Sequence, residues 1–224
     1  MKKRKKRIKI KGLIKLILFL ALVGGILYFL YNLCDTSIKN IYISGNNYLL
    51  DQDIIELANL DNYPDFYTTS SNSIEKRIKK NPFIKDVKVK KRLFQKLNIE
   101  IEEKRALFIY DDNIYFDDKS SSNNDLSINL PILINYTPDV KFDSLIKKMT
   151  KIDFEVLEKV SEIKYDPNEY DEDRFLLYMN DSNLVYLTLT KFDYLNKYND
   201  AVTKLEGKKG ILYLDSGNYF EILG

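Results

Sequence analysis

The spacing of apolar and polar positions changes character along the chain, and each change marks a different kind of structure. From Leu16 to Cys34 (LILFLALVGGILYFLYNLC) nineteen successive residues are nearly all apolar and none is charged. At about 1.5 Å per residue a helix of that length reaches about 28 Å, close to the hydrocarbon thickness of about 30 Å. The apolar region of a cleaved signal peptide is shorter, roughly 7 to 15 residues, and ends at a small-x-small site that Tyr31-Asn32-Leu33-Cys34 does not supply. A lipid-bearing cysteine would follow a small residue, and Cys34 follows Leu33. The pattern therefore predicts an uncleaved transmembrane helix. Gly24-Gly25 lacks the small-xxx-small spacing of a specific helix-pairing face.

Past Cys34 the pattern becomes periodic. Ser37 to Ser44 alternates, with Ile41 and Ile43 on one face, and breaks at Gly45-Asn46-Asn47, giving a short strand and a turn. Asp51 stands as a cap before a helix whose Ile54, Leu57 and Ala58 fall at i, i+3 and i+4. After a polar loop from Pro64 to Ser71, a second helix is expected from near Asn72. Glu75 sits at capping-box spacing, Ile74 and Ile78 face inward, and Asn81-Pro82 is the stop. Two alternating strands follow, Ile84 to Arg92 with Val87 and Val89 inward and Lys96 to Lys104 with Leu97, Ile99 and Ile101 inward, each keeping one wet face. Strand, helix, helix, strand, strand in this span describes one α+β unit, a small sheet covered on one side by two helices.

From Ala106 onward the pattern predicts a β-rich region. Leu107 to Tyr110 and Ile114 to Phe116 flank a hairpin turn at Asp111-Asp112-Asn113, and Lys119 to Ser127 reads as a polar loop. Leu130-Pro131-Ile132-Leu133 starts a strand, and helices are expected over Ser144 to Met149 and Phe154 to Val160. A second hairpin joins Phe175 to Tyr178 with Leu184 to Leu189 through Asn180 to Asn183, bringing Val185, Leu187 and Leu189 together. Thr190 is placed to cap a helix with Phe192, Leu195, Ala201, Val202 and Leu205 on its apolar stripe, and Gly207 ends it. Ile211 to Leu223 then forms two short strands about Asp215 to Asn218. Only Asp215 and Glu221 blunt that terminal edge with charge, so something is expected to cover it, either the domain's own helices or another chain.

Charge sets the orientation. Lys2, Lys3, Arg4, Lys5, Lys6, Arg7, Lys9, Lys11 and Lys15 precede the apolar stretch, and the first 34 residues contain no Asp or Glu. Such a cluster stays on the cytoplasmic side. The expected plan is a basic cytoplasmic tail at 1–15, a transmembrane helix at 16–34, and 190 residues outside, divided at 35–105 and 106–224. The outer part holds 26 basic residues against 33 acidic, a net of −7, which argues against nucleic-acid binding. The chain has one cysteine, at the membrane exit, so the outer part has no internal disulfide and no thiolate metal site.

Candidate chemistry is sparse. With no histidine, the commonest general base and metal ligand is missing. Gly207-Lys208-Lys209-Gly210 lacks the spacing of a phosphate loop and reads as a solvated turn. Asp111-Asp112 and Asp117-Asp118 would serve as a glycosidase acid and base only at fixed separation with one raised pKa, and no EF-hand spacing accompanies them. Ser120 to Ser122 could pair with a lysine as a nucleophile. Polar turns and loops are the commoner reading of all of these.

The run ISGNNYLLDQDII and the segment IKKNPFIKDVKVKKRLFQKLNIEIEEKRA together resemble the POTRA domain of the FtsQ family of bacterial cell-division proteins, called DivIB in Gram-positive bacteria. Gly45-Asn46, Asn81-Pro82, Ile84 with Val87, and Ile99 to Glu103 match in order and spacing, and Leu130-Pro131-Ile132-Leu133 resembles a strand start of the second domain. Glu103-Lys104-Arg105-Ala106 keeps the charges and alanine of the family's domain junction but lacks its proline. The resemblance implies a single transmembrane helix followed by α+β structure, a β-α-α-β-β POTRA domain and a second β-rich α+β domain. It implies a non-enzymatic scaffold with no cofactor and no small-molecule substrate. Such a scaffold would dock bitopic coiled-coil proteins of the FtsL and FtsB/DivIC type outside the cytoplasmic membrane at the division septum, the POTRA unit helping to recruit the complex. In the family the contacts lie on and after the last strands, which here fall at Leu214, Ser216, Gly217, Phe220 and Ile222; exposed aromatic character adds Tyr219. The alternative is a membrane-anchored extracytoplasmic enzyme acting on cell wall or peptide. A POTRA-containing translocation component would need a membrane barrel, and no such strand series follows.

Overall fold

The computed structural model describes residues 10–33, 35–124, 128–205 and 207–223. The tail before Ile10, Cys34 and the end of the polar loop at 125–127 lie outside the described residues, and so do the expectations placed on them.

Helix α1 runs Ile10–Leu33, starting six residues before the apolar stretch because Lys11 to Lys15 continue the same helical backbone. Its 22-residue segment Lys11–Asn32 is long and apolar enough to cross a membrane. Side chains all round it, among them Leu18, Phe19, Leu22, Tyr28 and Phe29, are exposed. A helix satisfies its own backbone hydrogen bonds, so a bare apolar surface of this kind suits lipid as solvent.

The chain divides into two compact units, residues 1–44, 51–78 and 88–100 in one and 45–50, 79–87 and 101–224 in the other. After α1 come β1 (Asn40–Ser44), α2 (Asp51–Leu57), α3 (Ser71–Ile78), β2 (Ile84–Arg92) and β3 (Lys96–Glu103), and the three strands form a sheet in the order β1-β3-β2. β1 lies parallel to the start of β3, from Asn40 opposite Lys96 to Ser44 opposite Glu100. Ile54, Ala58, Ile74, Ile78, Leu97 and Ile99 are fully buried, as the 3.6- and 2-residue periods require. Arg77 ties the helices together by donating to the Ala58 carbonyl through Nε at 2.9 Å and Nη2 at 2.6 Å. Glu75 departs from its expected role. Instead of closing a capping box on α3, its carboxylate accepts the Val89 amide of β2 at 2.7 Å. Asn81 marks the end of its helix as expected, its Oδ1 accepting the Phe83 amide at 2.9 Å.

In the second unit Gly45 has φ +88°, and a Cβ on it would stand 2.0 Å from the Ile101 carbonyl oxygen, so only glycine fits. The chain then turns so that the amides of Asn47, Tyr48 and Leu49 all donate to the Glu103 carboxylate, at 2.7, 2.8 and 3.0 Å. The glycine turn and the acidic end of the "I-x-I-x-E" strand are thus two halves of one device. The rest of the junction works similarly. Arg105 donates through Nη1 to the Thr150 carbonyl at 2.9 Å and through Nη2 to that of Ile152.

Beyond it lie β4 (Ala106–Tyr110), β5 (Asn113–Phe116), β6 (Ser121–Asn123), β7 (Ile132–Leu133), α4 (Asp139–Met149), α5 (Phe154–Leu157), β8 (Val160–Tyr165), β9 (Arg174–Met179) and β10 (Leu184–Thr188). They are followed by a 3-10 segment Leu189–Lys197, α6 (Tyr198–Thr203), β11 (Gly210–Tyr213) and β12 (Tyr219–Ile222). Among the described residues nine strands form one sheet in the order β12-β11-β10-β9-β8-β7-β4-β5-β6. Leu145, Phe175, Val185, Leu187, Phe192, Leu195 and Tyr198 are in the core packed between sheet and helices.

Several expectations change here. The polar loop after Lys119 contributes β6, which pairs with β5 from Ser121 opposite Tyr115 to Asn123 opposite Asn113. Residues expected to end a helix at Val160 instead begin β8, whose bulge between Val160 and Glu162 spaces the buried Val160 and Ile163 three apart and so imitates a helical period. α4 starts five residues earlier than expected, directly after Pro138, whose fixed φ suits a helix start. Thr190 caps nothing, because it lies inside the 3-10 segment, which kinks at Lys191.

Replacing Glu103 with alanine removes three charge-assisted bonds at once. Hydrogen bonds to charged groups contribute about 1.5–3 kcal/mol each and do not add fully, so urea unfolding of the detergent-solubilised chain should show a loss of about 2–3 kcal/mol.

Candidate partner-docking edge

The last two strands are hung on β10. β11 runs parallel to it, with Leu184 opposite Ile211 and Tyr186 opposite Tyr213, and antiparallel to β12, with Gly210 opposite Ile222 and Tyr213 opposite Tyr219. A buried side chain sets where β11 begins. Asn183, in the turn between β9 and β10, accepts the Gly210 amide at 3.0 Å and donates to the Tyr198 hydroxyl at 3.1 Å. Tyr198 in turn donates to Asp181 at 2.8 Å. Burial pushes the Tyr198 hydroxyl pKa well up, and the bond to Asp181 adds to this, so it stays a neutral donor. Gly210 is obligatory for a second reason. A Cβ there would lie 1.9 Å from the Glu221 carbonyl oxygen and 2.7 Å from the Phe220 ring, which packs across it.

The opposite face carries an aromatic ladder. Tyr186, Tyr213 and Tyr219 stack across three strands at 5.4 and 4.6 Å, with planes inclined by 22° and 15°. The Arg174 guanidinium caps the stack 3.7 Å from the Tyr186 centroid, within the range where a ring face attracts a cation. Arg174 also pairs with Asp215 at 2.9 Å and Asp166 at 3.0 Å, while Lys191 donates to the Asp215 carbonyl at 2.7 Å. The tip of the terminal hairpin is therefore bolted to the body by its Asp215. The Tyr213 hydroxyl donates to Glu221 at 3.0 Å, a bond that raises its pKa and ties β11 to β12 side by side.

β12 is the end strand of the sheet, and among the described residues no strand pairs with its outer side. The Leu223 amide donates to the Lys209 carbonyl at 3.0 Å, which makes 209 and 223 a hydrogen-bonded pair. In an antiparallel ladder such pairs alternate, so Glu221 and Tyr219 also turn their backbone groups inward while Ile222 and Phe220 turn theirs outward. All six residues singled out from the sequence sit in this hairpin, with different roles. Tyr219 and Ile222 are about half exposed, Ser216 and Gly217 lie exposed in the turn, and Phe220 is half-buried. Leu214 is buried and joins the core. Sequence reasoning missed Arg174, Lys191, Tyr186 and Asn183, whose roles depend on strand register. The available signal was the alternation of Tyr186, Tyr213 and Tyr219 with buried Val185, Leu212 and Leu187.

Both acidic pairs lie in turns. Asp111 and Asp112 occupy the left-handed positions of the two-residue β4–β5 turn, at φ 49° and 57°. Asp118 pairs with Lys104 at 2.8 Å, and Lys104 also donates to Ser120 Oγ at 2.7 Å. Burial pushes the Asp118 carboxyl up, but Lys104 and the Ser120 hydroxyl and amide outweigh it and hold the pKa down at about 2. A glycosidase acid needs the opposite shift. A Ser–Lys nucleophile needs an amine free to take the hydroxyl proton, and here the Asp118 carboxylate engages both partners.

An apolar N-terminal helix long enough to cross a membrane, a small β-α-α-β-β sheet and a large open sheet follow one another in the described residues. Residues 36–104 match the family model of the POTRA domain, FtsQ-type. The chain is similar to the cell division protein DivIB of Bacillus subtilis (strain 168), with 29% identity over 198 residues, 84% of this chain and 75% of that one. The DivIB of Bacillus cytotoxicus is 27% identical over 234 residues, covering 100% and 92%, and that of Listeria monocytogenes 28% identical over 237 residues, covering 99% and 85%. Among solved structures, the major extracytoplasmic domain of the trans isomer of DivIB from Geobacillus stearothermophilus is similar at 22% identity and a TM-score of 0.39, over 47% of this chain and 96% of that chain. Residues 36–104 are thus those of an FtsQ-type POTRA domain, and the chain as a whole is similar to DivIB cell division proteins.

Two tests bear on this region. Gly210→Ala should prise β12 from β11, read as faster hydrogen exchange at the inward amides of Tyr219, Glu221 and Leu223. The depressed Asp118 pKa stabilises the fold above its ordinary value of 3.8, and that contribution is lost as pH falls toward about 2. Acid unfolding followed by circular dichroism should therefore begin at higher pH in Asp118→Asn, with the difference from the parent vanishing below about pH 2.

Proposed function

We propose that the chain is a non-enzymatic scaffold of the division complex, held in the cytoplasmic membrane with its N-terminus inside and working outside, at the septum. Its β12 edge docks an extended segment of a bitopic coiled-coil partner of the FtsL or FtsB/DivIC type. The observation that carries this reading is the outward row of backbone groups at Phe220 and Ile222 on an end strand. That strand bears exposed Tyr219 and Ile222 and little charge. Strand addition uses such groups: main-chain hydrogen bonds supply affinity and alternate side chains supply choice. The membrane helix supports it, because two proteins confined to one surface meet at raised effective concentration and a modest edge suffices.

Proline at Ile222 separates edge pairing from folding. It removes an outward N–H while leaving the inward ladder bonds of Glu221 and Leu223 in place, and proline is tolerated on edges whose N–H faces solvent. Losing that bond leaves the partner's carbonyl unsatisfied at a cost of about 1–3 kcal/mol, or about five- to hundredfold in affinity for the purified partner. Unchanged capture by Ile222→Pro and by Phe220→Ala, with hydrogen exchange at Glu221 as the folding control, would remove the edge from the mechanism.

A further inference from the structure

The β2–β3 hairpin ends in Leu93-Phe94-Gln95, and Leu93 and Phe94 are each 82% exposed. Phe94 and Gln95 hold left-handed backbone, at φ 62° and 56°. Hairpin turns of this kind favour Asn-Gly, since a bulky side chain is disfavoured at positive φ. The chain therefore keeps a phenylalanine where both its backbone and its exposure argue against one. Strain of this sort at a surface tip points toward use.

The tip is held beside the exit of the apolar helix. Gln95 Nε2 donates to the Asp35 carbonyl at 2.7 Å, and the Lys39 amide donates to the Gln95 carbonyl at 2.9 Å. Asp35 is two residues beyond Leu33, where α1 ends, so the intervening backbone reaches at most about 7 Å. Aromatic rings cluster at the same level: Tyr31 of α1 lies 6.4 Å from Tyr67, itself 5.4 Å from Phe66. The Lys91 ammonium sits 4.9 Å from the Phe66 centroid. Charge is local too. Residues 88–96 (KVKKRLFQK) hold five basic side chains and no acidic one, inside an outer part whose net charge is −7. Lys88, Lys90 and Arg92 share the exposed face of β2 leading to the tip.

Exposed apolar tip, aromatic belt and basic flank, all at the end of a membrane-spanning helix, are the composition of a membrane–water interface. We propose that Leu93-Phe94 is a second membrane contact: the tip enters the headgroup region of an anionic bilayer beside the span, with Lys88 and Arg92 meeting lipid phosphates. The occupant of this apolar patch is lipid because the patch continues the lipid-facing surface of α1 and is opposite in charge to an anionic headgroup layer. The contact is independent of partner docking at β12. It turns a single pivot into a two-point attachment that limits rotation of the first unit about the helix axis.

The test uses the full chain in nanodiscs of phosphatidylcholine and phosphatidylglycerol. A nitroxide is placed at Leu93→Cys or Phe94→Cys in a Cys34→Ser background. Both side chains are exposed, so substitution leaves the core intact, and far-UV circular dichroism checks this. Power saturation compares collisions with oxygen, which concentrates in lipid, and with a water-soluble nickel chelate. We expect oxygen to exceed nickel severalfold at both positions, and the excess to shrink in phosphatidylcholine alone. Nickel-dominated collisions at Phe94→Cys would place the tip in water and overturn the proposal. Equal depth in both lipids would remove the role given to Lys88 and Arg92.

Discussion

Among the described residues, nine hydrogen-bonded strands that do not close on themselves leave a row of backbone donors and acceptors at each end. Most features of the larger unit follow from how that obligation is met. At one end β6 is three polar residues long, too short and too wet to invite a partner. At the other, β12 keeps apolar and aromatic side chains and is stiffened from behind by the Arg174–Asp215 pair, the tyrosine stack and the Phe220 ring over Gly210. Rigidity of this kind keeps an exposed edge from fraying, and it lowers the ordering cost when a further strand is added.

What could be read in the sequence depended on whether a residue's role is set by its neighbours in the chain or by its neighbours in space. Leu97, Ile99 and Ile101 alternate without interruption, and β3 is where alternation puts it. Val160 and Ile163 are strand residues whose bulge gives them helical spacing, so periodicity misplaces them. Ser121 to Asn123 form a strand with no apolar residue at all, because β5 supplies the pairing and solvent takes the other side. At the candidate edge the two strands and their turn were legible from composition. Leu214 shares the face of buried Leu212, which alternation alone indicates. The supports from Arg174, Lys191 and Asn183 reach across 41, 24 and 27 positions in the chain, and no local pattern announces them.

The short motifs that carry the likeness to the POTRA family also acquire physical reasons. Gly45 passes against the Ile101 carbonyl, Asn81 closes the turn after α3, and Glu103 gathers three amides. At the junction, Lys104 and Arg105 each have a definite partner without the proline that the family often places there. A proline fixes a chain by restricting φ, whereas a buried or half-buried charge fixes it by hydrogen bonds to carbonyls, and this chain relies on the second route.

The Asn183–Gly210 bond has a consequence at a distance. Strand side chains repeat every two residues, so slipping β12 by one position on β11 would exchange Phe220 and Ile222 for Tyr219 and Glu221 on the core face. In the observed register the Phe220 ring packs where a Cβ on Gly210 would stand, and the asparagine fixes where the glycine falls. Any strand that adds to the edge inherits its even–odd phase from β12, and β12 inherits it from one buried amide in the turn between β9 and β10. The phase of the whole assembly would thus be written two strands inside the surface at which it is read.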